Sequence, residues 1–265
     1  MKERIQKILA NAGVASRRAI EEMVLQGRIS VNGHIVTKLP VLIDVAQDKV
    51  EVDGEVVRVQ ARREGKRVYL LMHKPKGVYT TNVAQGEQTR AIDLLPPDLG
   101  ARVYPVGRLD ADAKGLLLLT NDGELTNRLT HPRYGVAKTY RAIVDGFVDP
   151  AKIQELERGI WMSDSRSGKG FKTGRCQIRV STRNERMSVL EITLREGRTG
   201  QVRRMLARVG HKVRDLTRVR LGPLTIKGLG IGQVRTLTPW EIKELWRAGE
   251  IPAGGNRGEK GERRE

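Results

Sequence analysis

Four leucines in succession, residues 116–119, are the feature that most constrains the fold of this chain. The run is too short for a helix and has no polar position, so it predicts a strand that is buried on both faces. The loop just before it contains Arg108, Asp110 and Asp112. We therefore expect Asp110 to lie against a hydrophobic core and to be partly desolvated. A carboxylate there costs free energy unless cations or hydrogen-bond donors compensate, which makes the loop a candidate site.

The residue types alone leave several interpretations of Asp110 open. The simplest is a loop ion pair with Arg108 beside a turn aspartate. Asp110 and Asp112 could instead work as an acid and base pair on a glycosidic bond. Asp110 could also be a single nucleophilic carboxylate, which needs an opposite charge to stay ionised in a dry pocket. The spacing does not choose among these.

A large positive charge predicts a polyanionic partner. The 265 residues include 49 Lys and Arg against 31 Asp and Glu, a formal net charge of +18. Cations that neutralise phosphates release counterions, so nucleic acid is the favoured partner. The longest apolar runs are only a few residues, so we expect no membrane association.

The cysteine and histidine content argues against disulfides and metal. Cys176 is the single cysteine, and the four histidines have no metal-ligand spacing. The first residues contain charges and no apolar leader pattern. We expect a cytoplasmic protein without a metal site.

Aromatic residues make up only 4% of the chain, which argues against platforms that stack several successive bases. Recognition of a nucleic acid should therefore depend on its backbone and shape. Tyr140 is by default a half-buried strand residue, since tyrosine favours strands. In an enzyme that handles bases it could instead stack on an extruded base.

The first 60 residues have the pattern of a small separate domain. Two short amphipathic helices are predicted, the second capped by Ser16, and Asn32-Gly33 between two apolar runs predicts a hairpin. Basic residues exceed acidic ones up to residue 38. This basic surface, with Arg17 and Arg18 at the start of the second helix, suits RNA.

The rest of the chain is expected to form a second, larger domain. The polar, charged residues 61–67 predict a linker, residues 68–252 the domain, and residues 253–265 a disordered, charged tail. Within the domain, Asn121 and Glu124 resemble a capping box. The Ser-, Gly- and Lys-rich segment Ser163 to Lys172 predicts a mobile loop.

A strongly basic helix is predicted after residue 200. Nine basic residues between 195 and 220 accompany only two acidic ones, and apolar residues at helical spacing mark one face. So many cations repel one another unless an anion is present, which favours phosphate contact over a merely solvated surface. The candidates for this contact are Arg198, Arg204 and Arg208.

Several motifs in a fixed order resemble the RsuA/RluB/RluE/RluF family of ribosomal RNA pseudouridine synthases. The resemblance covers about residues 68–246, and residues 5–54 resemble the small RNA-binding domain named after ribosomal protein S4. The motifs are Gly107-Arg-Leu-Asp110, Gly115-Leu-Leu-Leu-Leu-Thr-Asn-Asp-Gly123, His131-Pro-Arg-Tyr134, Lys138-Thr-Tyr140, Glu196-Gly-Arg198, Gln201-Val-Arg-Arg-Met205 and Arg218-Val-Arg-Leu-Gly-Pro-Leu224.

The resemblance implies roles for individual residues. Asp110 matches the essential aspartate, the nucleophile toward a uridine that is flipped out of its helix, because a base inside a duplex is out of reach. Attack on the sugar, attack on the base and a glycal route stay open. Tyr140 matches the tyrosine that packs on the base and takes part in proton transfer. Arg203 matches the basic residue that pairs with the aspartate, and Arg108 would position the loop or the RNA.

The resemblance also implies the fold and the substrate class. The expected fold is α+β: an S4-like RNA-binding domain followed by a catalytic domain with a mixed, mainly antiparallel sheet. No cofactor is expected, because an isomerisation conserves atoms and electrons.

Length, the basic tail and overall similarity favour 23S ribosomal RNA of the large subunit, free or in a preribosomal particle. A 16S enzyme and a non-catalytic RNA-binding assembly factor are the alternatives. One departure from the family pattern is local: Ala111 and Ala113-Lys114 stand where an aromatic residue and Thr or Ser are usual, which affects the loop's substrate contacts.

Overall fold

The computed structural model describes residues 2–57, 66–163, 168 and 170–250. The chain divides into two compact units, Met1–Lys66 and Arg67–Glu265. Most of the expected linker and the whole expected tail, residues 253–265, lie outside the described residues.

The N-terminal unit packs two helices with short strands around a small core. The elements are β1 (Glu3–Arg4), α1 (Ile5–Asn11), α2 (Arg17–Leu25), β2 (Ile29–Val31), β3 (His34–Ile35), β4 (Leu42–Ile43), β5 (Val50–Val52) and β6 (Glu55–Val56). The unit's four-stranded antiparallel sheet has the order β3-β2-β5-β6, and β1 pairs with β4.

Local sequence accounts for the turns of this unit. The Ser16 hydroxyl accepts a hydrogen bond from the backbone N–H of Ala19 (3.2 Å), as an N-cap of α2 should. Asn32 and Gly33 both have positive φ, 52° and 81°, the conformation of the tight turns that join twisted strands. Both predictions for this unit are confirmed.

The C-terminal unit contains the remaining strands and helices. Two 3₁₀ turns, Ala91–Leu94 and Pro132–Tyr134, complete it. The elements are β7 (Tyr69–Lys74), β8 (Tyr104–Pro105), β9 (Lys114–Thr120), α3 (Gly123–Thr130), β10 (Lys138–Asp145), α4 (Pro150–Arg158), β11 (Trp161–Ser163), β12 (Gly170–Lys172), β13 (Gln177–Arg183), β14 (Met187–Leu194), α5 (Gln201–Arg208), β15 (Val213–Leu221), β16 (Leu224–Thr225), β17 (Val234–Thr236) and α6 (Pro239–Ala248).

A nine-stranded mixed sheet organises this unit. Its main order is β13-β14-β10-β15-β9-β7-β17, with β16 on β15 and β8 on β9. Within the described strands of this sheet, β15 and β9 pair in parallel and the other pairs are antiparallel. The predicted α+β fold with a mainly antiparallel sheet is confirmed.

The four leucines lie near the middle of that sheet, in β9. Each is fully buried, and they alternate between two hydrophobic clusters, Leu117 and Leu119 in one and Leu116 and Leu118 in the other. Each such burial stabilises the fold by about 1.5–3 kcal/mol. The prediction of a strand buried on both faces is confirmed.

Two local predictions were wrong. The residue that caps α3 is Asp122, whose carboxylate accepts from the N–H groups of Glu124 and Leu125, while the Asn121 side chain accepts from the Val68 N–H. The expected loop Ser163 to Lys172 was wrong at its ends, since Ser163 and Gly170–Lys172 belong to the antiparallel pair β11–β12, while residues 164–167 and 169 lie outside the described residues. The physical reason in both cases is a tertiary partner that the local pattern does not show.

Candidate active site

The loop that carries Asp110 connects β8 to β9 and is held by backbone groups. The Gly77 N–H donates to the carbonyl of Ala111 (2.7 Å), and the Thr80 hydroxyl donates to the carbonyl of Leu109 (2.7 Å). The Ala113 N–H donates to the carbonyl of Asp110 itself (3.1 Å). The main chain on both sides of Asp110 is therefore fixed, while its side chain is exposed rather than partly desolvated as expected.

Lys74, at the end of β7, is fully buried beneath this loop. Its ammonium donates to the carbonyls of Pro75 (2.8 Å) and Val78 (2.7 Å), and the carbonyl of Ala111 lies 3.5 Å away. Burial lowers the pKa of Lys74 to about 8. Since the ammonium contacts both the turn after β7 and the next loop, Lys74 joins the two segments.

Asp110 and Tyr140 line one cavity of about 240 Å³. Tyr140 lies on β10, where side chains alternate between the two faces of the sheet, so Lys138 shares its face. The lining residues are Gly107, Arg108, Leu109, Asp110, Ala113, Thr130, Lys138, Tyr140, Leu194, Glu196, Gly197, Arg198, Thr199, Gly200, Gln201, Val202, Leu216 and Arg218.

Arg218 is a buried cation of this cavity, with 2% of its surface exposed. It pairs with Tyr140 across β10–β15 and with Gly115 across β15–β9. Its Nε donates to the carbonyl of Leu116 (2.7 Å), while its buried Nη2 has no hydrogen-bond partner within the described residues. A guanidinium stays charged at all ordinary pH values, so this group is positioned to meet an anion.

Gly115 makes this arrangement possible. Its φ is +118°, and a Cβ at this position would lie 2.4 Å from the carbonyl oxygen of Arg218. Glycine is therefore required where β9 and β15 approach each other behind the cavity.

Lys138 is a second cation of the cavity that the sequence interpretation did not single out. Its ammonium donates to the carbonyl of Val136 (3.2 Å). Burial, and then the charge of Arg218, lower its pKa to about 8. The available signal for Lys138 was strand alternation, because residues two apart on a strand share a face and Lys138 lies two residues before Tyr140. On β15, Leu216 lies two residues before Arg218 and lines the same cavity.

Arg203 does not make the expected contact with Asp110. Its Nη2 lies 2.9 Å from the carboxylate of Asp112, and its Nη1 donates to the carbonyl of Val213 (3.1 Å). The hydrogen bond to Val213 fixes the planar guanidinium of Arg203. The guanidinium therefore reaches Asp112, the second carboxylate of the loop that carries Asp110. Asp112, rather than Asp110, is the ion-pair partner of Arg203.

Two of the candidate RNA-binding residues lie in the cavity wall. Arg108 and Arg198 both line it and are exposed. The Nη2 of Arg108 lies 3.4 Å from the Thr199 hydroxyl, and the guanidinium carbon of Arg198 lies 3.9 Å from the ring centre of Phe171. Both guanidinium groups remain accessible to an anion.

The remaining candidates lie elsewhere. Arg204 donates to the carbonyl of Ser163, and Arg208 is exposed at the end of α5. Arg17 and Arg18 are exposed in the first turn of α2, in the N-terminal unit. The cavity therefore brings together Asp110, Tyr140, Arg108 and Arg198 of the predicted set.

The described part of the chain contains no group of three or more His, Cys, Asp or Glu side chains that could hold a metal ion. None of the helices described is long and apolar enough to cross a membrane.

Comparison with known proteins identifies both units. Residues 68–208 match the family model of RNA pseudouridylate synthases, and residues 3–40 match the S4 domain. A solved structure described as a pseudouridylate synthase is 26% identical, with a TM-score of 0.65, and the match covers 91% of this chain and 99% of that one.

Curated relatives match over nearly the whole chain. An uncharacterised RNA pseudouridine synthase of Aquifex aeolicus is 41% identical over 94% of this chain and 95% of its own. Ribosomal large subunit pseudouridine synthase B of Bacillus subtilis is 40% identical over 92% and 95%, and that of Escherichia coli O157:H7 is 41% identical over 95% and 85%. The chain therefore belongs to the RsuA family of RNA pseudouridine synthases and carries an S4 domain.

Proposed function

We propose that this pseudouridine synthase isomerises a specific uridine of 23S ribosomal RNA in the cytoplasm, with Asp110 as its nucleophile. The relatives named large subunit pseudouridine synthase B support the choice of RNA, since they match 92% and 95% of this chain. The RNA could be free or part of a preribosomal particle.

The observation that carries the residue assignment is the shared cavity of Asp110 and Tyr140. At about 240 Å³ it is smaller than the pockets of about 300–1,000 Å³ that take drug-sized ligands. A single extruded base suits this size better than a stretch of RNA does. The target uridine therefore has to leave its helix to reach Asp110.

The reaction exchanges one bond for another within the same nucleotide. The bond between N1 of uracil and C1′ of ribose breaks, the base turns, and a bond forms between C5 and C1′. C5 loses a proton and N1 gains one, so atoms and electrons balance without a cofactor. The Asp110 carboxylate supplies the attacking group, and Tyr140 packs on the base and assists the proton transfer.

The cations of the site have separate tasks in this proposal. Arg218 and Lys138 line the cavity and stabilise the negative charge of the uracil oxygens or of the adjoining phosphate. Arg203 holds the loop through Asp112 and so fixes where Asp110 points. Arg203 is a positioning residue in this arrangement.

Recognition of the rest of the RNA falls to exposed arginines. Arg108 and Arg198 lie at the cavity, where they can contact phosphates next to the target. Arg204 and Arg208 extend the basic surface along α5. In the N-terminal unit, Arg17 and Arg18 provide contacts for the S4 domain.

The test is conversion of unmodified ribosomal RNA. The protein is incubated with 23S and 16S transcripts, and pseudouridine is mapped by chemical modification and primer extension. One new pseudouridine in 23S supports the proposal. A new pseudouridine only in 16S would show that 16S RNA, not 23S RNA, is the substrate. No new pseudouridine in either RNA would overturn the assigned activity.

Asp110→Asn and Asp112→Asn separate the roles of the two carboxylates. Asp110→Asn should abolish conversion and leave RNA binding intact, because one charge changes little on a surface of net charge +18. Asp112→Asn should slow conversion only in part, since it weakens the ion pair with Arg203. Loss of RNA binding in Asp110→Asn would show a structural role, and equal loss of activity in both variants would favour a two-carboxylate hydrolase.

A further inference from the structure

The hairpin β11–β12 has two faces with different environments. Trp161 pairs with Lys172, Met162 with Phe171, and Ser163 with Gly170. Side chains of directly opposed residues lie on the same face of an antiparallel pair. Trp161 and Lys172 therefore share the outer face, and Met162 and Phe171 share the inner one.

The inner face is anchored next to the active-site cavity. Met162 is buried in the main hydrophobic cluster, and Phe171 packs against that cluster. The guanidinium of Arg198, which lines the cavity, lies on the Phe171 ring, and Arg204 donates to the carbonyl of Ser163. The hairpin is thus held against the wall of the site that receives the uridine.

The outer face presents an uncovered indole. Trp161 is 65% exposed, although burying so large an apolar side chain would stabilise the fold. Its six-membered ring lies over Gly170, where an added Cβ would come within 3.9 Å of the indole Cε3. One side of the ring lies on the hairpin, and much of the indole remains open to a ligand.

The indole has a cationic neighbour. Lys172 is exposed and lies directly across from Trp161 on the same face of the strand pair. An apolar ring beside an ammonium fits a nucleotide, which offers a π-face for stacking and a phosphate for the cation. An acidic protein surface would pair with the ammonium of Lys172 but would gain less from the flat ring of Trp161.

We propose that Trp161 and Lys172 form a platform on which one unpaired base of the substrate RNA stacks, close to the flipped uridine. The proposal rests on the proposed function and adds the kind of RNA that the site accepts: a target with a single-stranded nucleotide nearby. One such platform is compatible with the low aromatic content, which argues only against a series of them.

The matched variants are Trp161→Ala, Trp161→Phe, Lys172→Ala and, as control, Trp240→Ala. Trp240 is 66% exposed, on α6, and therefore controls for the loss of a surface indole. The measurements are the Kd for a stem-loop RNA with an unpaired flank and the rate of its conversion. The salt dependence of the Kd is recorded for each variant.

Trp161→Ala should weaken binding about 5- to 150-fold, as expected for loss of about 1–3 kcal/mol of base stacking. Trp161→Phe should recover part of the affinity, because phenylalanine keeps a flat ring. Lys172→Ala should reduce the slope of log Kd against log salt by about 0.7, the value for one phosphate contact on a single strand. Trp240→Ala should bind as the wild type does.

Quenching of tryptophan fluorescence by a single-stranded uridine oligonucleotide provides a direct second readout. It should persist in Trp240→Phe and be lost in Trp161→Phe. Equal affinity and equal quenching in Trp161→Ala, Trp240→Ala and wild type would overturn the platform while leaving conversion intact. Failure of the wild type to convert 23S RNA would instead contradict the proposed function, and the quenching result would still decide the platform.

Discussion

Replacing Lys138 by methionine is expected to stabilise the protein and to slow the reaction. The side chain lies in the cavity wall, where burial and then Arg218 lower its pKa to about 8. Methionine is unbranched and apolar, so it can follow a similar path without a charge. The wild-type protein thus keeps the Lys138 cation although its burial lowers the stability of the fold, which indicates that Lys138 has a role in the site.

The size of the effect follows from that pKa. The change from the usual value of about 10.5 to about 8 corresponds to at most about 3.4 kcal/mol, at about 1.36 kcal/mol for each tenfold step. Solvent at the open side of the cavity screens part of this. Loss of the hydrogen bond to Val136 costs about 0.5–1.5 kcal/mol. The free energy of unfolding should therefore rise by about 1–2 kcal/mol at pH 7.

The sign of the pH dependence is fixed by the lowered pKa. Below pH 8 Lys138 is protonated in both states, so the folded wild type carries the full penalty of the buried charge. Between pH 8 and about 10.5 the unfolded chain binds more protons than the folded one, and this penalty is relieved as the pH rises. The advantage of Lys138→Met should shrink through that window and reverse near its upper end, where only the loss of the hydrogen bond to Val136 remains.

Urea denaturation at several pH values, followed by tryptophan fluorescence, measures this directly. The three tryptophans, Trp161, Trp240 and Trp246, all lie in the C-terminal unit, so the signal reports on the unit that contains the cavity. The control is Lys152→Met: exposed Lys152 also donates to a carbonyl, that of Val209 (2.8 Å), and its loss should only destabilise.

Lys138→Met is also expected to lower the activity. Loss of a charged hydrogen bond to the substrate, about 1.5–3 kcal/mol, should lower kcat/KM about 10- to 150-fold. A variant that is less stable than wild type at pH 7, or whose stability difference does not change from pH 7 to 10, refutes the argument from burial. Unchanged kcat/KM refutes the role of Lys138 in the site.

Three further predictions concern the frame of the site. Gly115→Ala should lower the free energy of unfolding by about 2–5 kcal/mol in urea denaturation, because its Cβ would clash with Arg218 and its φ is positive; an unchanged midpoint contradicts this. Arg203→Met should lower kcat more than RNA affinity, because it frees the loop at Asp112; single-turnover kinetics and Kd measurements separate the two. Deletion of residues 1–57 should weaken RNA binding in filter-binding assays while the remainder keeps its thermal transition, and aggregation of the remainder would count against separable units.

Elements with strong local signals could be predicted from the sequence. The uncharged leucine run, the Asn32-Gly33 turn and the Ser16 cap all depend on neighbours within a few residues, so their chemistry is visible in the chain itself. The same holds for the capping box of Thr238 and Glu241, which the structure shows with both reciprocal bonds. Of these elements, the leucine strand β9 directly follows the loop of Asp110 and so belongs to the frame of the cavity.

Predictions that depended on a choice between neighbouring partners were less successful. Asn121 and Asp122 can both cap a helix, and the choice was made by the Val68 N–H, which binds Asn121. Asp110 and Asp112 are equally plausible partners for Arg203, and the Val213 carbonyl orients the guanidinium toward Asp112. Such choices depend on groups that are distant in sequence.

The charge balance of the cavity supports the proposal that Asp110 is its reactive carboxylate. Glu196, the other acidic residue of the lining, accepts from the Gly174 N–H (2.9 Å) and from the Gln201 amide, and Arg198 lies 3.9 Å from it. Within the described residues the Asp110 side chain has no ion-pair or hydrogen-bond partner. Arg203 is neutralised by Asp112 outside the lining, so the charges of Lys138 and Arg218 remain for the substrate. The site thus combines a free carboxylate with uncompensated cations, as attack on an anionic nucleotide requires.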